Sequence, residues 1–203
     1  MKYIILIPIY NDRESLKLLI ENINLEIKDL NHDISIVVIN DASSQQILDT
    51  YTNIQNINSI EIINMKVNRG HTRCIAAGLK YIFEKKEFDF VIPMDGDGED
   101  RPAEIKNFVD LSEQSGEKSI IGERVKRSEG IIFRLCYLFH KFLTLAFTGK
   151  SIKFGNFTCL SKSTVKKMLE EKATWNSFSG SLKKVEKDLL SISSIRATRY
   201  FGP

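Results

Sequence analysis

Four acidic side chains stand close together in the sequence, directly after an apolar run. The apolar run is Phe88–Met94, and within the next six residues come Asp95, Asp97, Glu99 and Asp100. Carboxylates this close repel one another, so a fold retains them where a cation compensates their charge. All-oxygen ligands favour Mg²⁺ or Mn²⁺, and Mg²⁺ is usually held by one or two carboxylates together with substrate phosphates. The stretch therefore predicts a metal-dependent phosphate site, with an acidic, solvated turn as the alternative.

The regular elements that must position these residues can be predicted from the apolar pattern. Continuous β-prone runs predict strands at Lys2–Ile9, Ile34–Ile39, Ser59–Met65, Phe88–Met94 and Lys118–Gly122. Helically spaced apolar residues predict helices between them: one capped by Asp12, a short one over Ile47–Ile54, one over Ile75–Phe83 and one from Pro102. Strands that alternate with helices predict an α/β fold with a mostly parallel sheet.

Polar side chains follow four of the predicted strands at the point where each strand ends. They are Asp12, Asp41, Asn68, and the pair Asp95 and Asp97. In a parallel sheet, ligands bind beyond the carboxyl ends of the strands, so we expect these residues to converge on one crevice. Asp41 and Asp95 can accept hydrogen bonds from a base or a ribose. A metal on Asp97 and Glu99 can hold a diphosphate, which describes a site for a nucleotide-activated substrate.

Three common ligand-binding motifs are absent. No GxGxxG follows the first strand, and there is no GxxxxGK[ST] loop, which disfavours a dinucleotide site and a P-loop. A calcium loop of the EF-hand type counted from Asp95 would need Gly where Asp100 stands and Glu where Lys106 stands. A nucleotide can still be held without a glycine-rich loop, by side chains such as Asp41 and Asp95.

Composition limits the remaining possibilities. The chain has 203 residues, of which 42% are apolar and 27% charged, enough for one globular domain with a full core. Residues 1–100 carry 10 basic and 16 acidic side chains, and residues 101–203 carry 19 basic and 10 acidic ones. The basic second half favours an anionic partner, namely phosphate, an acidic membrane surface or nucleic acid, with solvated helix faces as the alternative. Three cysteines without CxxC spacing favour reduced thiols and a cytoplasmic setting.

Seven segments, spread along nearly the whole chain, together form a recognisable pattern. They are IPIYNDRESL (7–16), INDASSQ (39–45), NRGHTRCIAAGL (68–79), MDGDGEDRPAEI (94–105), IGERVKRSEG (121–130), KFGNFTCLSKSTV (153–165) and RATRYFGP (196–203). In this order they resemble the elements of a family 2 glycosyltransferase with a GT-A fold, and within that family the polyprenyl-phosphate branch similar to dolichol-phosphate mannosyltransferase. The second segment departs from the family's DDGS element, because Asn40 replaces the first Asp and Ala42 replaces Gly.

The resemblance implies roles for particular residues. Metal-binding residues are implied to be Asp95, Asp97 and Glu99, the last standing where eukaryotic-like members often have Gln. The cofactor would be Mg²⁺ or Mn²⁺. Substrate-binding residues are implied to be Pro8, Tyr10, Asp12, Asp41, Asn68, Gly70, Asp95, Arg134 and Arg199. The residues expected to act in catalysis are Asp97, Arg124 and Arg127.

The basic loop after the fifth strand contains Arg124, Lys126 and Arg127, and Arg134 follows. Guanidinium groups suit bidentate phosphate binding, so we expect them to hold the donor diphosphate or an acceptor phosphate; a solvated basic turn is the alternative. The segment Ile131–Phe147 is the most apolar in the chain, but the Arg, His and Lys inside it disfavour a membrane span. It predicts an amphipathic helix at the membrane interface or a buried core helix.

The sequence therefore predicts a single GT-A domain over residues 1–203, with a Rossmann-like, mostly parallel sheet flanked by helices. Residues 1–122 are expected to bind the nucleotide sugar, and residues 123–203, basic and containing the apolar helix, to form the acceptor side. Family members often continue beyond this point, which makes a C-terminally truncated form one interpretation. We expect a cytoplasmic protein at the inner face of the membrane, with no role for nucleic acid; the oligomeric state is open.

The predicted activity is inverting transfer of a sugar from a nucleotide-sugar donor to a polyprenyl phosphate such as dolichyl or undecaprenyl phosphate. An acceptor phosphate is already anionic and needs no general base, whereas a hydroxyl does. Only Glu123 and Glu129 follow the fifth strand closely as carboxylates, which favours the phosphate acceptor. The alternative is transfer to a saccharide hydroxyl in surface polysaccharide or lipopolysaccharide synthesis. An inactive nucleotide-binding protein and a nucleotidyltransferase are weaker alternatives.

Overall fold

The computed structural model describes residues 1–46, 54–124 and 154–201. The strands in these ranges are β1 (Lys2–Ile9), β2 (Asp33–Asn40), β3 (Ser59–Asn64), β4 (Phe90–Pro93), β5 (Ile120–Arg124), β6 (Phe154–Ser161) and β7 (Leu190–Ser194). The α-helices are α1 (Arg13–Glu26), α2 (His71–Lys85), α3 (Ile105–Ser115), α4 (Lys162–Glu170) and α5 (Phe178–Val185). Two 3₁₀ turns lie at Pro102–Glu104 and Lys172–Trp175.

In the part of the chain that the structure describes, these strands form one seven-stranded sheet in the order β3-β2-β1-β4-β6-β5-β7. Strands β1 to β4 are parallel, and β7 is parallel to β5. Strand β6 is antiparallel to both of its neighbours, β4 and β5. The predicted mostly parallel sheet flanked by helices is confirmed. The fifth predicted strand, however, is separated from β4 by β6, which comes later in the chain.

Helices cover both faces of the sheet, and two apolar clusters result. On one face, helices α1 and α3 place residues such as Leu19, Ile23 and Phe108 against Ile5 and Ile36. On the other face lie the apolar residues of α2, α4 and α5, packed against the alternate residues of β1 and β2. Strand β1 is buried from Tyr3 to Ile9 because both of its faces are covered. Each Leu or Ile buried in this way stabilises the fold by about 1.5–3 kcal/mol.

The boundaries of the predicted helices agree in part with the structure. Asp12 caps α1, as predicted, because its side chain accepts a hydrogen bond from Ser15 N at 3.4 Å. Pro102 begins a 3₁₀ turn, and the α-helix starts only at Ile105. The predicted helix over 47–54, apart from Ile54, and the predicted apolar helix over 131–147 lie outside the described residues. Among the helices that the structure describes, none combines the length and the apolar character needed to cross a membrane.

Candidate active site

The acidic loop lies at the carboxyl end of β4, between the ends of β1 and β6. Two of its own carboxylates shape it: Asp100 Oδ2 accepts from Asp95 N at 2.9 Å, and Asp97 Oδ1 accepts from Glu99 N at 3.0 Å. A Cβ atom on Gly96 would lie 2.9 Å from the carbonyl oxygen of Pro8, so only glycine lets the loop approach the end of β1 this closely. The sequence pattern DGDG thus fixes the two aspartates beside β1.

A cleft of about 290 Å³ opens above these strand ends. Its lining residues are Pro8, Ile9, Tyr10, Asp12, His71, Asp95, Gly96, Asp97, Asn156 and Arg199. Six of them were predicted to bind the substrate or the metal, namely Pro8, Tyr10, Asp12, Asp95, Asp97 and Arg199. The cleft takes Asn156 and Arg199 from the second half of the chain, so both halves contribute to one site.

Asp41 is placed differently from these residues. It is only 3% exposed, and its two carboxylate oxygens accept hydrogen bonds from Arg69 N at 2.7 Å and Gly70 N at 2.8 Å. These are the amides of the turn that precedes α2, where Gly70 has a left-handed φ of 87°. Asp41 therefore fixes the turn that presents His71. Neither Asp41 nor Asn68 nor Gly70 belongs to the lining of the cleft.

His71 and Asn156 join Asp95 in a hydrogen-bonded group that sequence reasoning missed. His71 Nε2 lies 3.2 Å from Asp95 Oδ1, and Asn156 Nδ2 lies 2.7 Å from His71 Nε2 and 3.5 Å from Asp95 Oδ1. The hydrogen bond to Asp95 raises the pKa of His71, although burial acts against it. Burial alone would raise the pKa of Asp95, but the hydrogen bond from His71 and its charge, followed by the contact with Asn156, hold that pKa below its usual value. Asp95 is therefore ionised at neutral pH.

The segment after β7 runs along the acidic loop and brings two arginines to it. Ala197 N donates to Glu99 O at 2.8 Å, and Tyr200 N donates to Asp97 O at 2.9 Å. Arg199 Nε lies 3.3 Å from Asp97 Oδ2. Arg196 pairs with Glu99, and its Nη2 is 3.5 Å from Asp95 Oδ2. An exposed ion pair contributes only about 0–1 kcal/mol, but here several pairs and backbone hydrogen bonds act together.

Asp100 is the most deeply placed acid of the loop, at 5% exposure. Burial, with the neighbouring charge of Asp95, raises its pKa from 3.8 to about 7. A proton therefore resides on Asp100 for much of the time near neutral pH. The loop then carries less negative charge than the sequence suggests.

The three residues predicted to bind metal are each engaged by basic side chains. Within residues 1–46, 54–124 and 154–201, no group of three His, Cys, Asp or Glu side chains is arranged to hold a metal ion alone. Asp95 and Asp97 nevertheless both line the cleft. Mg²⁺ needs only one or two carboxylates when substrate phosphates complete its ligands, and an all-oxygen donor set suits Mg²⁺ or Mn²⁺. Asp95 and Asp97 thus fit a cation that binds together with a diphosphate.

The structure describes only one of the three arginines that were predicted to bind phosphate, namely Arg124. It is the last residue of β5, and its guanidinium covers Gly155, so that a Cβ at Gly155 would collide with it. Gly155 precedes Asn156, which lines the cleft. Arg124 is therefore beside the site. Arg127 and Arg134 lie outside the described residues.

Comparison with known proteins identifies the family to which this fold belongs. Residues 4–165 match the model of glycosyl transferase family 2, and the chain belongs to this family. Over 172 residues it is 28% identical to undecaprenyl-phosphate 4-deoxy-4-formamido-L-arabinose transferase of Yersinia enterocolitica. The aligned region covers 83% of this chain and 50% of that protein. The chain thus spans about half the length of the curated relatives it matches.

Solved glycosyltransferase structures share the fold. S. aureus TarS 1–349 in complex with UDP-GlcNAc has a TM-score of 0.64 at 16% identity, covering 100% of this chain and 60% of that one. The mannosyltransferase PcManGT from Pyrobaculum calidifontis in complex with GDP-Man and Mn²⁺ has a TM-score of 0.65 at 16% identity, covering 99% of this chain and 58% of that one. The predicted GT-A fold is confirmed.

Proposed function

We propose that this protein is a metal-dependent, inverting glycosyltransferase that moves a sugar from a nucleotide-sugar donor to a polyprenyl phosphate. The observation that carries the proposal is the convergence of Asp12, Asp95, Asp97 and Arg199 on one cleft at the strand ends. The relatives support the acceptor class, because the Yersinia protein is named for transfer to undecaprenyl phosphate. Two solved neighbours support the donor class, because one holds UDP-GlcNAc and the other holds GDP-Man together with Mn²⁺.

The donor would lie along the ends of β1 and β4. Pro8, Tyr10 and Asp12 border the cleft on the β1 side, where a nucleoside can be received. A bound Mg²⁺ or Mn²⁺ would neutralise charge that develops on the leaving diphosphate. Asp95 and Asp97 would hold that ion, and the Arg199 guanidinium offers a second positive group to the same diphosphate.

The acceptor phosphate would approach from the β5 side. Arg124 at the end of β5 borders the residues around Asn156, and we propose that it acts with Arg127 and Arg134 in binding the anionic acceptor. A phosphate oxygen attacks without prior deprotonation, so in-line displacement at the anomeric carbon needs no general base. Because the acceptor is a membrane lipid, we place the protein at the cytoplasmic face of a membrane.

A second candidate is transfer to a saccharide hydroxyl, and His71 is the observation that favours it. The scarcity of bases in the sequence after β5 argues for a phosphate acceptor, but His71 lines the cleft and hydrogen-bonds to Asp95. A histidine oriented by a carboxylate is a suitable general base for a hydroxyl. His71→Gln would then abolish transfer to a saccharide, whereas transfer to a lipid phosphate would continue without that base.

A donor screen tests the proposal. The protein is incubated with Mn²⁺ or Mg²⁺, a short-chain polyprenyl phosphate and a panel of radiolabelled UDP-, GDP- and other nucleotide sugars. Label that enters the organic phase with one donor, and is lost in Asp97→Asn, supports the proposal and identifies the sugar. Donor hydrolysis without lipid labelling, together with labelling of an oligosaccharide, would favour the second candidate. If no donor is turned over with either metal, the proposed activity is wrong for this chain.

A further inference from the structure

Arg196 contacts the acidic loop but has no part in the function proposed above. Its guanidinium pairs with the carboxylate of Glu99 and reaches to 3.5 Å from Asp95 Oδ2. The side chains of Asp95 and Glu99 are 16% and 22% exposed, and that of Arg196 is 39% exposed. One fixed cation thus faces two of the three carboxylates that were predicted to bind metal.

The backbone on both sides of Arg196 is held in place. Ile195 N donates to Glu104 Oε1 at 2.8 Å, and Ala197 N donates to Glu99 O at 2.8 Å. Glu104 is only 6% exposed, so this anchor lies in the interior. The fold therefore holds the backbone of Arg196 in place, and from there its side chain reaches Glu99.

Arg196 and a divalent cation place competing demands on Glu99. A carboxylate that is paired with a guanidinium binds a second cation less readily, because the two cations repel each other at short distance. Asp97, which pairs with Arg199 at 3.3 Å, and Asp95, which lies 3.5 Å from Arg196, are subject to the same effect, so their place in the fold must distinguish them from Glu99. Asp95 and Asp97 line the cleft, whereas Glu99 and Arg196 do not. The aspartates therefore face the cleft, and Glu99 faces Arg196.

We propose that Arg196 is a positioning residue that pairs with Glu99, keeps that carboxylate from coordinating the metal, and offsets its charge. The cation is then held by Asp95 and Asp97 with the donor diphosphate. The inference rests on the metal-dependent function proposed above, and it changes Glu99 from a metal ligand to the ion-pair partner of Arg196. Without Arg196, the loop would gain both a free ligand and an uncompensated negative charge.

A double-mutant cycle on Mn²⁺ affinity tests this pairing. The variants are R196Q, E99Q and R196Q/E99Q, and free Mn²⁺ is followed by electron paramagnetic resonance with UDP or GDP present. R196Q is expected to bind Mn²⁺ about tenfold more tightly, because Glu99 is released, and E99Q about tenfold more weakly, because Arg196 is left unbalanced. The double variant is expected to return to within about threefold of the wild type, since both members of the pair are gone.

The double variant decides between the two roles of Glu99. If Glu99 is a metal ligand, R196Q/E99Q will bind Mn²⁺ as weakly as E99Q, and the proposal is overturned. Unchanged affinity in R196Q, or a wild-type protein that binds no Mn²⁺ with either nucleotide, also overturns it.

Urea unfolding checks that each variant is folded. If R196Q does not fold, R196K takes its place and is expected to stay within about threefold of the wild type, because the compensating charge remains; a change of tenfold in R196K would contradict the pairing. The Mn²⁺ affinity experiment contains no acceptor, so a failure of lipid labelling in the donor screen does not affect its result.

Discussion

Arg199 joins two carboxylates that belong to different strand ends. Its Nε lies 3.3 Å from Asp97 Oδ2 after β4, and its Nη2 lies 4.0 Å from Asp12 Oδ2 after β1. The arginine itself comes from the segment after β7, so one side chain connects the amino-terminal, central and carboxyl-terminal parts of the described chain. A diphosphate that enters the cleft would find this guanidinium already oriented, because Tyr200 N is hydrogen-bonded to Asp97 O at 2.9 Å.

The first prediction concerns this guanidinium. Arg199→Gln is expected to lower kcat/KM for the nucleotide sugar about 10- to 100-fold, because a hydrogen bond to a charged group contributes about 1.5–3 kcal/mol. Arg199→Lys is expected to recover only part of the loss, since lysine cannot bind two oxygens in a plane. Steady-state kinetics with the donor identified in the screen provides the measurement. The matched control is Arg13→Gln, because the Arg13 side chain pairs with its exposed neighbour Glu14 at 3.0 Å and does not line the cleft. Equal losses in Arg199→Gln and Arg13→Gln would show that the effect is not local to the cleft.

The second prediction assigns a structural role to Asp41. Asp41→Asn replaces one of the two accepting oxygens by an NH₂ group, which would face a backbone N–H of the turn at Arg69 and Gly70. A buried donor left without an acceptor costs about 1–3 kcal/mol, and the free energy of unfolding should fall by that amount. Urea unfolding measures it. Asp29→Asn, at an exposed site, should leave the stability unchanged within about 0.5 kcal/mol. A stable Asp41→Asn protein with a large loss of donor affinity would instead favour direct contact of Asp41 with the nucleotide.

The sequence was most informative about elements whose pattern is local. The buried run of β1 and the cap at Asp12 follow from neighbouring residues alone, and both are present in the structure. The place of β6 could not be predicted in this way. An apolar run specifies a strand but not its neighbour, and β6 enters between β4 and β5 by pairing Phe90 with Ser161 and Ile120 with Cys159.

The candidate site also combines residues that the local sequence predicts with residues that it does not. The strand-end residues Asp12, Asp95 and Asp97 were predictable because parallel strands bring their carboxyl ends to one edge. His71 and Asn156 were not, since they are 85 residues apart and meet only through the sheet order. The only available signals were a polar residue at the first position of α2, after the Asn68–Gly70 turn, and an amide within β6. Neither identifies a partner without the tertiary fold.

The third prediction concerns Ala42, which stands where the family's element has Gly. Its φ of 57° lies in the left-handed region, and a non-glycine residue there carries a cost of about 1–2 kcal/mol. Ala42→Gly relieves this strain but increases the freedom of the unfolded chain, so a net gain of about 0.5–1 kcal/mol is expected. The matched control is Ala77→Gly inside α2, where glycine should cost about 0.5–1 kcal/mol. Urea unfolding of both variants gives the comparison, and destabilisation of the same size in each would refute the strain at Ala42.

The last prediction concerns the pH dependence of stability. The pKa of Asp100 is raised from 3.8 to about 7, first by burial and then by the charge of Asp95. Between these values the folded protein retains a proton that the unfolded chain releases, so stability from this group is greatest at low pH and falls as pH rises towards about 7. Asp100→Asn stays neutral at every pH and keeps an oxygen that can accept from Asp95 N.

The free energy of unfolding of Asp100→Asn, relative to the wild type, should therefore increase between about pH 5 and about pH 8. Urea unfolding across that range is the measurement. The raised pKa of His71 also lets stability fall as pH rises, and it is caused first by the hydrogen bond to Asp95 and to a smaller extent by the charge of Asp100. The part due to Asp95 is common to both proteins, and the part lost in Asp100→Asn changes the difference in the same direction as Asp100 itself. Asp29→Asn serves again as the control, and its curve should run parallel to that of the wild type. A parallel curve for Asp100→Asn as well would mean that Asp100 is ionised in the folded protein at neutral pH, and the acidic loop would then carry its full negative charge.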